Sequence, residues 1–263
     1  MAATSPVTGS AAQKPLIGPV TLVRAAIIAV VIIAWEALAA SGLLFQDVVP
    51  SLVKIGSALL GTLADAAFYR NLGATAYEVV LALVIGGIAG LAAGIVLGGS
   101  RFLSSAYEPY LYYLGPTPKI IFFPVMIMWF GVGPGSKVAM GALSCFFPVA
   151  LSTAAGMREI DKVLIRVGRS FQAKTWQMVA KIYLPAMRAP VINGLRLGFG
   201  VAIIGVLLAE TKLSNQGLGF MIIQAYALFN MPQMYALLII VFCIAALANA
   251  GADRLNRATA PPR

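Results

Sequence analysis

The chain has no histidine in its 263 residues, only two cysteines and only nine acidic residues. The first absence excludes a histidine base, an imidazole metal ligand and a histidine phosphocarrier. Cys145 and Cys243 are far apart and each sits inside an apolar run. They read as small packing residues rather than a disulfide or metal pair. The acids are not clustered, so no membrane-face enzyme site presents itself. There is no Gly-x-x-x-x-Gly-Lys-[Ser/Thr] phosphate loop, so ATP hydrolysis on this chain is not expected. Charge itself is scarce, at 11% of residues, against 60% hydrophobic residues and a mean hydropathy of +0.90. A soluble domain could not clothe that much apolar surface, whereas a bilayer acts as its solvent. The apolar runs last about twenty residues without the alternation of barrel strands, so an all-α membrane protein is expected.

Residues 1–19 are small, polar and Pro/Gly-bearing, and read as a flexible tail. The first span covers about 20–44. Its Ala37-Leu38-Ala39 looks like a signal-peptidase site, but the apolar stretch is too long for a signal and Trp35-Glu36 interrupts it, so an uncleaved anchor is expected. Residues 42–76 read as a loop with amphipathic pieces, including Ser51 to Leu63. The second span, 77–99, carries Gly86, Gly87, Gly90, Gly94 and Gly98, whose small-xxx-small spacing lets helix backbones approach closely. The third, 114–130, contains Pro116, Pro118 and Pro124 and should be kinked. The fourth is 137–156, the fifth 191–209 and the sixth 234–252. A loop with Asn215, Gly217 and Gly219 precedes the sixth, and residues 253–263 form a basic tail.

The 19 basic residues are distributed unevenly. With both termini inside, the inner side receives Lys14, Arg24, Arg101, the basic residues of 157–190, and Arg254, Arg257 and Arg263. The outer loops receive Lys54, Arg70 and Lys212, with Lys137 at a span edge. This asymmetry predicts cytoplasmic termini in an inner membrane. It also explains the net charge of +10 without nucleic acid.

The longest polar segment is 157–190. Within it Val163, Leu164, Val167 and Phe171, then Trp176, Val179, Ile182 and Tyr183, recur at helical spacing. Two short amphipathic helices at the membrane surface would account for this, with Arg166, Arg169, Lys174 and Lys181 reaching water. On the residues alone, an ordinary interfacial loop fits as well.

The segment resembles the cytoplasmic coupling loop of binding-protein-dependent ABC importer permeases. That pattern reads Glu-Ala-Ala, three residues, Gly, nine residues, Ile-x-Leu-Pro. Here the register falls on Arg166-Val167-Gly168, then Gln172, then Ile182-Tyr183-Leu184-Pro185, with Arg166 and Gln172 replacing the Glu and Gly. Gly115-Pro116-Thr117-Pro118-Lys119, Trp129-Phe130-Gly131-Val132-Gly133, Gly135-Ser136-Lys137, Phe146-Phe147-Pro148, Gly156-Met157-Arg158 and Trp35-Glu36 are similar to the nitrate/sulfonate/taurine branch. So is Ser214-Asn215-Gln216-Gly217-Leu218-Gly219 before the last span.

The resemblance implies a six-helix bundle of the type I ABC importer permease kind, with short cytoplasmic coupling helices. It implies that Arg166, Val167, Gly168, Arg169, Ser170, Phe171, Gln172, Ala173, Lys174, Thr175, Trp176, Ile182, Leu184 and Pro185 form the surface that engages a separate ATPase subunit. A short helix around Ser170–Lys181 would sit in that subunit's groove, with Ser170 to Trp176 as the contact and Pro185 stopping the helix. ATP and Mg would reside on the partner, and no cofactor is expected in this chain. A second permease copy (a homodimer) and a periplasmic or lipid-anchored solute-binding protein complete the implied assembly. The cargo would be a sulfonate, nitrate or similar small anion or organic solute.

Ionisable groups inside spans are costly and often functional. Glu210, at the end of the fifth span, is a candidate gate or loop pin. Met126, Trp129 and Phe146, with Met128 beside them, are candidate pathway residues, and plain packing is the favoured reading of the set. Glu36 can reach the outer interface, Arg196 can anchor to headgroups, and Asn193 and Asn249 can bond between helices. The alternative function is a stand-alone secondary transporter or channel. Such carriers commonly show repeated halves with broken polar helices, and no internal repeat is evident here.

Overall fold

The computed structural model describes residues 19–42 and 48–259; the tail expected at 1–18, the end of the first span at 43–44 and the last residues 260–263 lie outside them. Every element among the described residues is helical. Two units are distinguished, residues 1–54 and 55–263. The first holds α1 (Pro19–Ala40). Near its end Trp35 Nε1 donates to Pro50 O at 3.1 Å, and Glu36 Oε2 accepts from Leu52 N at 3.1 Å. Glu36 therefore caps the start of α2 (Leu52–Ala64).

The second unit contains α3 (Ala66–Gly99), α4 (Arg101–Leu114), α5 (Phe123–Phe130), α6 (Pro134–Glu159), α10 (Arg188–Lys212) and α12 (Met231–Thr259). Between α6 and α10 lie α7 (Lys162–Ser170), α8 (Thr175–Met178), a π turn at Val179–Tyr183, and α9 (Leu184–Ala186). Between α10 and α12 lies α11 (Leu218–Ala227). Among the described residues five helices are long and apolar enough to cross a membrane, and α4 with the segment Lys119–Phe130, bent by 93° across a short break, counts as a sixth if the pair is one span.

Several elements exceed the sequence expectation. The span read as 77–99 lies within a 34-residue helix that starts at Ala66, where Asp65 caps it by accepting from Ala67 N at 2.8 Å. The helix before the region read as the third span, 114–130, begins at Arg101 and ends at Leu114, and residues 114–130 hold the break between α4 and α5. The physical reason is that α4 is amphipathic and tyrosine-rich, which hides it from a search for apolar runs. The segment read as a loop before the sixth span contains the ten-residue α11.

The core is α6 clasped between α3 and α10. Along α3 the glycines recur every fourth residue against α6, and they are there because backbone touches backbone. A Cβ on Gly90 would lie 2.8 Å from Phe146 O and 2.9 Å from Val149 Cβ, and one on Gly98 would lie 2.6 Å from Met157 Cβ. The α10 side repeats the device: a Cβ on Gly198 would lie 2.8 Å from Cys145 Sγ. In lipid, where apolar burial gives helices little reason to associate, such close approach supplies the dispersion that holds them. Cys145 is fully buried with Val149 and Ala202, a packing residue as its sequence context suggests. Near the other end of α6, Arg158 pairs with Glu108 of α4 and donates to Ser104 Oγ at 3.2 Å, tying α4 to the core.

Candidate functional site

Two polar assemblies stand out, one at each end of α10. The first is the segment 160–187. Asp161 starts α7 by accepting from Val163 N at 2.8 Å. The helix ends in a left-handed cap in which Ala173 N donates to Gly168 O at 3.0 Å and Gln172 N to Arg169 O at 2.9 Å. This is the Schellman arrangement, and its left-handed residue is Gln172, at φ 52°. Glycine is the residue that adopts this conformation without a Cβ penalty. Gln172, the residue that the resemblance sets against the pattern's Gly, thus holds a conformation that glycine adopts most readily.

Gly168 is buried, and a Cβ on it would meet Met178 Sδ at 2.6 Å and also strike Ile182 Cδ1. The chain can therefore fold α7 back over α8 and the π turn. The outward side of this hairpin carries Val163, Leu164 and Val167, each about half exposed, together with Phe171 at 82% and Trp176 at 62% exposure. Arg166, Arg169, Ser170 and Lys174 are exposed beside them. An apolar and basic surface of this kind, with two protruding aromatic rings, is fitted to receive another protein.

The second assembly caps α11. Three successive backbone N–H groups at its start are taken by side chains from other helices. Gly217 N donates to Asn71 Oδ1 at 2.7 Å, Leu218 N to Thr75 Oγ1 at 2.8 Å, and Gly219 N to Glu210 Oε2 at 2.6 Å. Thr75 Oγ1 in turn donates to Glu210 Oε1 at 2.7 Å. Glu210 is fully buried, and its carboxyl accepts from the Thr75 hydroxyl and from the Gly219 N–H at the start of α11, where a carboxylate is favoured. Gly217 lies at φ 106°, directly against the Glu210 carboxylate, where no Cβ would fit.

Glu78 of α3 and Lys137 of α6 are buried within electrostatic reach of this carboxylate. Lys137 Nζ donates to Val132 O and to Gly133 O, holding the turn between α5 and α6. Glu78 Oε2 has no hydrogen-bond partner. No group of acids and cysteines among the described residues is arranged to hold a metal ion.

Residues 82–261 match the family of binding-protein-dependent transport system inner membrane components. The chain belongs to that family. It is 30% identical over 229 residues to the putative aliphatic sulfonates transport permease protein SsuC of Bacillus subtilis, covering 87% of this chain and 83% of that one. It is 31% identical over 197 residues to the taurine transport system permease protein TauC of Escherichia coli, covering 75% and 72%. The fold matches that of the MetNI methionine ABC transporter in inward-facing conformations, with a TM-score of 0.65 at 20% identity over 74% of this chain and 97% of that one. The chain is thus an inner-membrane ABC importer permease with the type I fold.

Within this permease the sequence-nominated residues separate. Arg166 to Trp176 form the hairpin just described, but Ser170 to Lys181 is not one helix: α7 ends at Ser170 and α8 starts at Thr175. Pro185 does not stop a helix either; it follows the π turn at Val179–Tyr183 within a helical run that lasts to Ala186, and the break comes at Met187. Ile182 packs toward Gly168, and Leu184 toward Met157, Ile160 and Met187, so these two secure the hairpin to the bundle. Met126 packs beside Phe123, Met140 and Ala209. Met128 and Trp129 are 84% and 72% exposed, and Phe146 lines a separate groove with Tyr107, Tyr110 and Leu114. The four do not form one surface. Glu78, Thr75 and Asn71 were missed as site residues. The signal for Glu78 was available, since it is an acid inside an apolar run.

Proposed function

We propose that this permease is the membrane half of an ATP-driven importer whose motor subunits dock on the α7–α8 hairpin. ATP and Mg belong to those separate subunits. A second copy of this chain completes the channel, and a solute-binding protein delivers the cargo, a sulfonate, nitrate or similar small solute; relatives named for aliphatic sulfonates and taurine support the sulfonate class. Both termini lie in the cytoplasm, with residues 1–19 and 253–263 as tails, 20–252 as the permease domain and 157–190 as its coupling loop. The positive-inside distribution supports that orientation.

The observation that carries this reading is the exposure of Phe171 and Trp176 on a basic hairpin fixed to α6 and α10. Aromatic rings so placed are the usual anchors of an interface. The test is extraction in mild detergent and recovery of the permease with its motor in two-to-two proportion. Phe171→Ser with Trp176→Ser should weaken that association by more than about tenfold. A solitary protein that moves solute into vesicles without ATP would overturn the reading.

A further inference from the structure

A second, partly buried cation lies beside α6. Lys119 follows the break between α4 and α5, and its Nζ donates to Gly115 O and, at 3.4 Å, to Thr117 O. It stands 5.0 Å from the centre of the Phe147 ring. Among the described residues no acidic side chain makes an ion pair with it. Its depth follows from helix geometry. The 14 residues of α4 rise about 21 Å before the break, and Ser144, which shares a cavity with Lys119, lies about 15 Å from the start of α6. Counted from those helix starts, both lengths fall inside a hydrocarbon layer about 30 Å thick.

A lysine there is costly unless something negative meets it. The carbonyls ending α4 meet only part of the charge. Beside it is a cavity of about 290 Å³ lined by Lys119, Ser144, Gly205, Ile204, Leu208 and Pro116. A Cβ on Gly205 would lie 2.8 Å from Ser144 Oγ, so the glycine leaves that hydroxyl uncrowded. The Ser144 hydroxyl, which now donates to Met140 O at 2.9 Å, can rotate toward an occupant.

We propose that this cavity is a transit subsite for a small oxyanion, with the Lys119 ammonium as its charge partner. The proposal rests on reading the chain as a permease for sulfonates or similar solutes. A lysine serves such a step because it is a compact charge without the fixed fork of arginine, so it attracts an oxyanion without holding it in one geometry. Passage requires a site that is entered readily and left readily. Half-burial and an existing bond to Gly115 O keep the attraction moderate.

The test uses the complete transport complex in liposomes, with ethanesulfonate and taurine as probes. Lys119→Gln can still donate to Gly115 O but carries no charge. Its uptake of ethanesulfonate should fall about tenfold or more, while Lys119→Arg stays within about threefold of the parent. Should Lys119→Gln fail to fold, Lys119→Cys in a Cys145→Ala, Cys243→Ala background replaces it. An aminoethyl thiol reagent should then restore uptake and a sulfonatoethyl reagent abolish it. Equal uptake by the folded Lys119→Gln variant and the parent, or equal effects of the two reagents, overturns the subsite. A parent complex that imports neither probe overturns the cargo reading, and this proposal with it.

Discussion

Gly90→Ala and Gly73→Ala place the same methyl group on the same helix, and the structure gives them opposite consequences. At Gly90 the new Cβ would lie 2.8 Å from Phe146 O, 2.9 Å from Val149 Cβ and 3.1 Å from Ala150 N. Two of these neighbours are backbone atoms of α6 and cannot rotate aside. Overpacking of this kind costs about 1–3 kcal/mol, and the rigid neighbours argue for the upper part of that range. Replacing a helical glycine by alanine returns up to about 1 kcal/mol, leaving a net loss of about 2 kcal/mol. At Gly73 nothing lies within 4 Å, so only the gain of up to about 1 kcal/mol remains. For a chain of this size each kcal/mol moves Tm by about 2–4 °C, so Gly90→Ala should melt roughly 4–8 °C lower and Gly73→Ala slightly higher. The fully buried Cys145 supplies the assay, since a thiol-reactive fluorophore labels it only as the bundle opens. Cys243, which is exposed, is first changed to Ser. A shift of the same sign in both variants would refute the claim that α3 and α6 are held by backbone contact.

Two further outcomes follow from the capped segments. Thr75→Val removes the acceptor of Leu218 N and the donor to Glu210 Oε1, leaving two buried groups unpaired at about 1–3 kcal/mol each. The amides starting α11 should exchange faster and trypsin should cut at Lys212 more readily, with the α7–α8 hairpin unaffected; unchanged exchange would mean that the cap is not holding α11. Gln172→Gly relieves a left-handed residue at a cost of about 1–2 kcal/mol, less the added freedom of glycine in the unfolded chain. The net gain of about 0.5–1 kcal/mol should slow exchange of the Gln172 and Ala173 amides roughly two- to fivefold. Faster exchange at these amides would count against the Schellman geometry.

The sequence by itself determined the solvent. Long apolar runs separated by basic loops require a bilayer, because no arrangement of this composition covers itself with polar groups. It also determined the close face of α3, since glycines at every fourth position can serve only one helix stripe. The amphipathic spacing of 157–190 was legible too, and it appears as the short helices α7 and α8. What only the tertiary structure decided is how the sparse polar groups are satisfied. Glu210 looked like a gate or a loop pin, and folding places its carboxylate over the first turn of α11, reached by Thr75 from 135 positions away. The helices α4 and α11 were hidden for different reasons: α4 is too polar to read as an apolar run, and α11 is apolar but only ten residues long. Periodicity is a local property of sequence. Which buried N–H finds which carboxylate, and which lysine is left with only carbonyls to meet its charge, depends on the helices that fold against it.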